Sequence, residues 1–101
     1  MKRPLPLLIT ETAQNDLADI WAFIAEDNHD AASRLIHEIG ERFDPLCQNP
    51  EMGPKRDGLS PGLRVCIHRN YAIYYRIIPS GLVILRVLHG ARDNTAQFDP
   101  K

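Results

Sequence analysis

The sequence lacks the features that usually identify a membrane or secreted protein. No apolar run approaches the roughly 20 residues that a helix needs to span a bilayer. The basic start is followed by Pro4 and Pro6 and does not resemble a signal peptide. Two cysteines, Cys47 and Cys66, have neither CxxC nor zinc-type spacing. We therefore expect a cytoplasmic protein, with no membrane contact and with two small buried thiols rather than a disulfide.

Motifs of nucleotide, hydrolase and metal chemistry are also missing. The chain contains no GxGxxG, P-loop, GxSxG or HExxH pattern. Its four histidines are scattered rather than grouped as metal ligands: His29, His37, His68 and His89. The sequence therefore predicts no bound cofactor and no metal site, although His68, His89 and the arginines could still be nominated for RNA cleavage.

Composition and charge are more informative. A chain of 101 residues, with 44% hydrophobic and 25% charged residues, suits a single globular domain over 1–101. Residues 1–52 carry 4 basic and 10 acidic side chains, whereas residues 53–101 carry 8 basic and 3 acidic ones. Either the second half offers a surface to an acidic partner, or the two halves neutralise each other at the surface.

A short strand and an amphipathic helix are predicted at the start of the chain. Leu7–Thr10 is apolar and short, and Thr10 or Thr12 can cap a helix that runs from Glu11 to Glu26. Apolar residues recur three or four positions apart along this helix: Ala13, Leu17, Ile20 and Ile24.

A second helix completes a hairpin over about residues 11–46. Asn28 or Asp30 can cap it. Its apolar stripe comprises Ala32, Leu35, Ile36, Ile39 and Phe43. Pro45 cannot donate to a helical hydrogen bond, so we expect this helix to stop near Phe43 or to kink before Leu46.

The second half predicts a three-stranded antiparallel meander over residues 63–89. A loop at 47–62, rich in Pro and Gly, precedes it, and a tail at 90–101 follows. The predicted strands are Leu63–Ile67, Tyr71–Ile78 and Leu82–His89.

The turns between these strands set their register. We predict three-residue turns at 68–70, with Asn70 in the left-handed region, and at 79–81. Ile67 then lies opposite Tyr71, and Ile78 lies opposite Leu82. The resulting apolar face, which the helical hairpin would cover, comprises Leu63, Val65, Ile67, Ile73, Tyr75, Ile77, Val83, Leu85 and Val87.

The same register places Arg64, Tyr74 and Arg86 in one row on the opposite face, with Arg76 two residues further along the central strand. Arginines beside a tyrosine can stack on its ring and still bind carboxylates or phosphates. This face is therefore predicted to be an interface, unless the N-terminal strand, the tail or a second copy covers it.

Four segments carry a family resemblance in their order and spacing: Asp16-Leu17-Ala18-Asp19-Ile20-Trp21, Gly62-Leu63-Arg64, Tyr71-Ala72-Ile73-Tyr74-Tyr75-Arg76 and Arg86-Val87-Leu88-His89-Gly90-Ala91-Arg92-Asp93. In this combination the chain resembles the ParE branch of the ParE/RelE toxin superfamily, from about Leu7 to Asp93. The resemblance implies an α+β fold with a short N-terminal strand, a helical hairpin and a three-stranded antiparallel meander, the helices packing on one sheet face.

The resemblance also implies a function. Such proteins are the toxins of type II toxin–antitoxin systems; they inhibit DNA gyrase by binding it, and a ParD-like antitoxin neutralises them in a hetero-oligomer. No catalysis and no sequence-specific nucleic acid binding by the toxin alone are implied. The target- or antitoxin-binding residues carried over are Arg64, Tyr74, Arg76, Arg86, His89, Arg92 and Asp93, to which Lys55 and Arg56 can be added. For His89, an edge histidine bonded to backbone is an equal alternative.

RelE-like ribosome-dependent mRNA endonucleases are the alternative within the superfamily. In those nucleases an arginine on the central strand and a tyrosine near the C-terminus support cleavage, and the resemblance places Ala72 and Phe98 at these positions. Neither side chain can supply a proton or a cation. A non-toxic structural partner of an antitoxin complex is the third possibility.

Overall fold

The computed structural model describes residues 3–90 and consists of three helices on one face of a four-stranded sheet. The helices are α1 (Glu11–Ala25), α2 (His29–Glu41) and α3 (Phe43–Gln48). The strands are β1 (Leu7–Ile9), β2 (Leu63–His68), β3 (Tyr71–Ile78) and β4 (Gly81–His89), in the order β1-β4-β3-β2. β1 runs parallel to β4, and the remaining pairs are antiparallel. The predicted α+β fold is confirmed.

Both long helices begin at predicted caps. The Thr10 hydroxyl accepts a hydrogen bond from the Ala13 N–H at 3.0 Å, and the Asn28 side-chain oxygen accepts one from the Ala31 N–H at 3.0 Å. Each side chain satisfies a backbone donor that has no partner within its helix. No helix within residues 3–90 is long and apolar enough to cross a membrane.

The second helix ends near Phe43, as predicted, but a third short helix follows it. α2 stops at Glu41, and the chain forms the separate short helix α3 instead of only stopping near Phe43 or kinking before Leu46. Pro45 lies in the first turn of α3, where a backbone N–H has no helical acceptor and its loss costs little. The predicted loop at 47–62 therefore begins only after Gln48.

The predicted register of β2 is wrong by one residue. The β2–β3 turn contains two residues, so that His68 pairs with Tyr71 and Ile67 with Ala72. Arg69, rather than the predicted Asn70, takes the left-handed conformation, with φ 55°. A shift of one residue moves every side chain of a strand to the opposite face.

The predicted β3–β4 turn is also wrong, but a bulge compensates for the error. Ile78 pairs with Gly81 instead of Leu82, because this turn too contains two residues. An irregularity between Tyr74 and Tyr75 then adds one residue to β4, and Tyr74 pairs with Arg86 as predicted. The register of the last four residue pairs of this hairpin is therefore correct.

The two faces of the sheet bury different sets of residues. On the helical face the buried cluster contains Ala13, Ile39, Phe43, Leu46, Cys47, Cys66, Ile73, Tyr75, Leu82, Ile84 and Val87. The face away from the helices, here called the outer face, has a smaller cluster of Leu63, Val65, Ala72 and Tyr74, packed against Leu59, Leu85 and Leu88. The predicted core residues that instead belong to the outer face are Leu63, Val65, Ile67, Val83 and Leu85. Ile67 is 57% exposed.

Candidate functional site

Arg86 and Tyr74 form the centre of the predicted site. They are directly opposite each other on β4 and β3, and Tyr74 is buried. The Arg86 guanidinium binds both carboxylate oxygens of Asp16 on α1, at 2.8 Å from Nε and 2.9 Å from Nη2. Hydrogen bonding to Asp16 raises the pKa of Arg86. The guanidinium is thus fixed in orientation by a helix that follows β1.

The same aspartate completes the edge of β4. β1 pairs only with residues 82–84 of β4. Beyond that point, the Thr10 hydroxyl donates to the Leu85 carbonyl at 3.0 Å, and Asp16 Oδ2 accepts from the Val87 N–H at 3.0 Å. The side chains of Thr10, which caps α1, and of Asp16 on α1 therefore take the place of a longer β1.

Arg64 does not belong to the predicted row. The two-residue β2–β3 turn places it opposite Tyr75, on the helical face, and not beside Tyr74. Its Nη1 donates to the carbonyl oxygens of Gly53 at 2.7 Å and Glu51 at 3.2 Å. The prediction that Arg64, Tyr74 and Arg86 form one row is therefore wrong for Arg64, which fastens the loop before β2.

Arg76 does lie on the outer face, two residues from Tyr74 along β3, as predicted. Its Nη2 donates to the Ser60 hydroxyl at 2.6 Å. Its Nε is buried and has no hydrogen-bond acceptor among residues 3–90. Arg76 consequently keeps unused donor capacity next to the outer-face cluster.

A second ion-pair group connects α2 to the β2–β3 turn. Glu38 Oε1 accepts from Arg69 Nε at 2.8 Å and lies 3.0 Å from His68 Nε2. These hydrogen bonds, from Arg69 first and from His68 second, lower the pKa of Glu38 from 4.5 to about 2. Together with the contact between Asp16 and Arg86, this group shows that the acidic and basic halves partly neutralise each other, as one of the two interpretations of the charge pattern predicts.

The remaining predicted residues lie at the end of β4 or beyond it. The ring of His89 contacts that of Tyr71 edge to face, with centroids 5.4 Å apart. Arg92 and Asp93, like Phe98, lie outside the described residues. Sequence reasoning missed Asp16 and Glu38 as partners of the basic residues, because each lies in a different half of the chain from the side chains it binds.

Cysteine and metal chemistry contribute nothing to this site within the described part of the chain. Cys47 and Cys66 are free and buried, as predicted. Burial raises the pKa of Cys47, which keeps its thiol protonated and unreactive. Among residues 3–90 no three histidine, cysteine or acidic side chains are grouped to hold a metal ion.

Comparison with known proteins places these features in a family context. Residues 7–94 match the family described as the ParE toxin of the type II toxin-antitoxin system, parDE. Toxin ParE3 of Caulobacter vibrioides is 31% identical over 93 residues, which cover 91% of this chain and 93% of that protein. Toxin ParE1 of the same organism is 27% identical over 94 residues, covering 92% and 97%.

Solved structures show the same fold. A chain of the chromosomal ParDE TA system from P. aeruginosa superposes with a TM-score of 0.72 at 24% identity, over 84% of this chain and 95% of that one. A chain of the toxin-antitoxin complex RelBE2 from Mycobacterium tuberculosis gives a TM-score of 0.63 at 25% identity, over 86% and 99%. The architecture is therefore shared with chains from two different toxin-antitoxin systems.

Proposed function

This chain belongs to the ParE toxin family of type II toxin-antitoxin systems, and on that premise we propose that it inhibits DNA gyrase by binding it. In this mechanism the toxin catalyses no reaction. Gyrase itself breaks the DNA, and the bound toxin keeps the broken complex from resealing, so that replication stops.

The observation that carries the proposal is the rigid end of β4. Asp16 fixes both Arg86 and the Val87 N–H, and the buried Tyr74 supports Arg86 from the opposite strand. The Arg86 side chain is 22% exposed. A guanidinium that is already oriented loses little conformational entropy when a partner docks against it. Such a surface suits recognition of a protein target.

The surroundings of the sheet support binding over RNA cleavage. Scission of RNA needs a base, an acid and cationic support for the phosphate. At the position where the resemblance places a nuclease arginine, Ala72 is buried and offers no proton or charge. The nearby His68 and Arg69 are both bound to Glu38.

We further propose that a ParD-like antitoxin neutralises the chain in the cytoplasm by forming a hetero-oligomer with it. The solved structures that share its fold come from a ParDE system and from a toxin-antitoxin complex. Some of the basic residues would then contact gyrase and others the antitoxin.

Supercoiling of relaxed plasmid by purified gyrase tests the proposal. The chain should inhibit supercoiling in a dose-dependent manner and increase the amount of cleaved DNA. Arg86→Glu alone is a poor probe, because the new carboxylate would face that of Asp16. Exchange of the two residues, Asp16→Arg with Arg86→Asp, keeps an ion pair while it moves the guanidinium. We expect this double variant to lose inhibition, and circular dichroism checks its folding, because an arginine at position 16 cannot accept from the Val87 N–H. Full supercoiling at saturating wild-type chain would refute the gyrase target.

The similarity to a chain of the RelBE2 complex favours one alternative, a ribosome-dependent mRNA endonuclease. In that case the chain would cut ribosome-bound message in vitro and leave supercoiling normal. If expression without antitoxin caused neither DNA damage nor translation arrest, the chain would be a structural partner only.

A further inference from the structure

The end of β4, which carries the proposed binding surface, is held along both of its edges. On the β1 side, the Asp16 carboxylate accepts from a backbone N–H of β4 at 3.0 Å. On the β3 side, His89 pairs with Tyr71, and their rings are in contact. One residue later, the Gly90 N–H donates to the Asn70 carbonyl at 2.6 Å. The β2–β3 turn therefore contacts the backbone just beyond the end of β4.

This turn has an unfavourable backbone conformation at Arg69. Its φ is 55°, and it is the only non-glycine residue with positive φ in the described part of the chain. When the first central residue of a two-residue hairpin turn has positive φ, that position usually contains glycine, because a side chain there is strained. Strain of this kind persists only where surrounding contacts maintain it, and it is frequent at functional sites. The contacts of Arg69 therefore need an explanation.

Glu38 on α2 supplies the contacts that maintain this conformation. Its Oε1 accepts from Arg69 Nε at 2.8 Å, and its Oε2 accepts from Nη2 of the same guanidinium at 3.3 Å. Its Oε1 also lies 3.0 Å from Nε2 of His68, the last residue of β2. The Arg69 side chain is 64% exposed, and ion pairs at such positions contribute little to stability. Stability alone is therefore not a sufficient reason for an arginine where glycine would be unstrained.

The same contacts connect α2 to the end of β4. Glu38 binds the Arg69 side chain, Asn70 follows in the turn, and the Asn70 carbonyl accepts from the Gly90 N–H. A change in the backbone dihedral angles of Arg69 would displace the residues that follow it, including this carbonyl. The approach to Gly90 is close, since a Cβ there would lie only 3.2 Å from the carbonyl oxygen. The conformation of the turn therefore determines where the chain leaves the sheet.

We propose that Glu38 is a positioning residue for the candidate binding site at the end of β4. It keeps Arg69 in the left-handed conformation and thereby aligns the Asn70 carbonyl that binds the Gly90 N–H. The inference rests on the proposed function, in which this end of β4 docks against a protein target. Glu38 itself needs no contact with that target. The two long helices then have parallel roles, because Asp16 of α1 fixes one edge of β4 directly and Glu38 of α2 fixes the other through the turn.

Amide hydrogen exchange of the full chain, followed by NMR, tests the positioning. In Glu38→Gln and in Arg69→Gly, the Gly90 amide should exchange at least about threefold faster than in the wild type, because local opening becomes easier. The Val87 amide, which is bound to a side chain of α1 and not to the turn, is the internal reference and should change by less than about twofold. Glu41→Gln, at an exposed position on the same helix, is the matched control and should leave both amides unchanged.

Gyrase inhibition by the same variants tests the functional part. Glu38→Gln and Arg69→Gly should each need at least about threefold more chain for half-maximal inhibition of supercoiling, since a less ordered surface loses more conformational entropy on binding. Arg69→Gly is the sharper variant. Glycine adopts the left-handed conformation without strain, so the midpoint of urea unfolding should change little. Weaker inhibition at unchanged stability is a result that a merely structural role of the ion pair would not give.

Three outcomes would overturn the inference. Unchanged exchange at Gly90 in both variants would remove the positioning role. Equal acceleration at Gly90 and Val87 would mean that the substitutions only lower global stability. A loss of inhibition in Arg69→Gly but not in Glu38→Gln would assign Arg69 to direct contact with the target, because Glu38→Gln leaves the guanidinium in place.

The exchange measurement contains no gyrase, so the two proposals can fail separately. A wild-type chain that inhibits supercoiling, with equal inhibition by both variants, would refute the positioning role alone. A wild-type chain that never inhibits supercoiling, but whose Gly90 amide exchanges faster in both variants, would refute the gyrase target alone.

Discussion

Asp16 and Arg86 are 70 residues apart in the chain, yet they form a two-point ion pair that also fixes the backbone of β4 through the Val87 N–H. Both side chains are more than three-quarters shielded from solvent. The contact therefore belongs to the folded framework as well as to the proposed binding surface, and substitutions there must be tested for both roles.

Asp16→Asn should destabilise the protein by about 2 kcal/mol, because it weakens the hydrogen bonds to a guanidinium that stays partly buried. Urea unfolding followed by circular dichroism measures the change. Asp19→Asn, at an exposed position on the same helix, is the matched control and should shift the free energy of unfolding by less than about 0.5 kcal/mol. Equal shifts in the two variants would show that the pair contributes nothing beyond a change in net charge.

Glu38→Gln should remove a pH dependence of stability. The folded-state pKa of Glu38 lies near 2, below the ordinary value of 4.5. The carboxylate therefore stabilises the fold fully above about pH 4.5, and this contribution is lost as the pH falls toward 2. The difference between the unfolding free energies at pH 7 and pH 3 should be smaller in Glu38→Gln than in the wild type. Glu41→Gln, at an exposed position one turn further along α2, serves as the control; an identical response in both variants would contradict the assignment.

Tyr75→Phe should cost about 1–3 kcal/mol, because it leaves the buried Gly53 N–H without an acceptor. In the wild type the Tyr75 hydroxyl accepts from that N–H at 2.9 Å and donates to the Pro50 carbonyl at 2.7 Å. Tyr71→Phe removes a hydroxyl that makes no hydrogen bond within residues 3–90 and should be nearly neutral. Thermal unfolding compares the two variants, and a neutral Tyr75→Phe would mean that the loop is held by other contacts.

Gly53→Ala should destabilise the fold by about 1–3 kcal/mol through overpacking. A methyl group there would overlap the Val65 carbonyl oxygen and come within 2.7 Å of the Tyr75 hydroxyl. Gly58→Ala is the matched control, since nothing lies within 4 Å of the added carbon. A loss of stability that is equal in both variants would contradict the overpacking at Gly53, because stiffening of the unfolded chain by alanine would instead raise stability in both.

The sequence predicts the helices better than the sheet, for a physical reason. Thr10 and Asn28 indicate where helices start, because each caps a helix through a local hydrogen bond that needs no distant partner. Local sequence does not show which face of β2 is covered by the helices, because both faces carry small or apolar residues. Leu63 and Val65 lie on one face, and Cys66 lies on the other. Arg69 occupies a left-handed position that favours glycine or asparagine, so the turn length was not readable from residue type.

The site shows the same division between local and distant information. The pairing of Tyr74 with Arg86 was predictable, although it depends on a bulge that cancels a turn error. The partners Asp16 and Glu38 were not, since helical periodicity places them only on a polar side and does not show which strand residue each one meets. The pairing of residues 54–56 with β2 was not predictable either, because no sequence period in that Pro-rich loop indicates it.

The brevity of β1 has a consequence for the protein before it meets any partner. A strand of three residues would leave backbone groups of β4 free to pair with another chain, and exposed strand edges of this kind can nucleate fibrils. The hydroxyl of Thr10, which caps α1, and the carboxylate of Asp16 on α1 occupy two of those backbone groups, the Leu85 carbonyl and the Val87 N–H. They occupy positions with which a strand of another chain would otherwise pair.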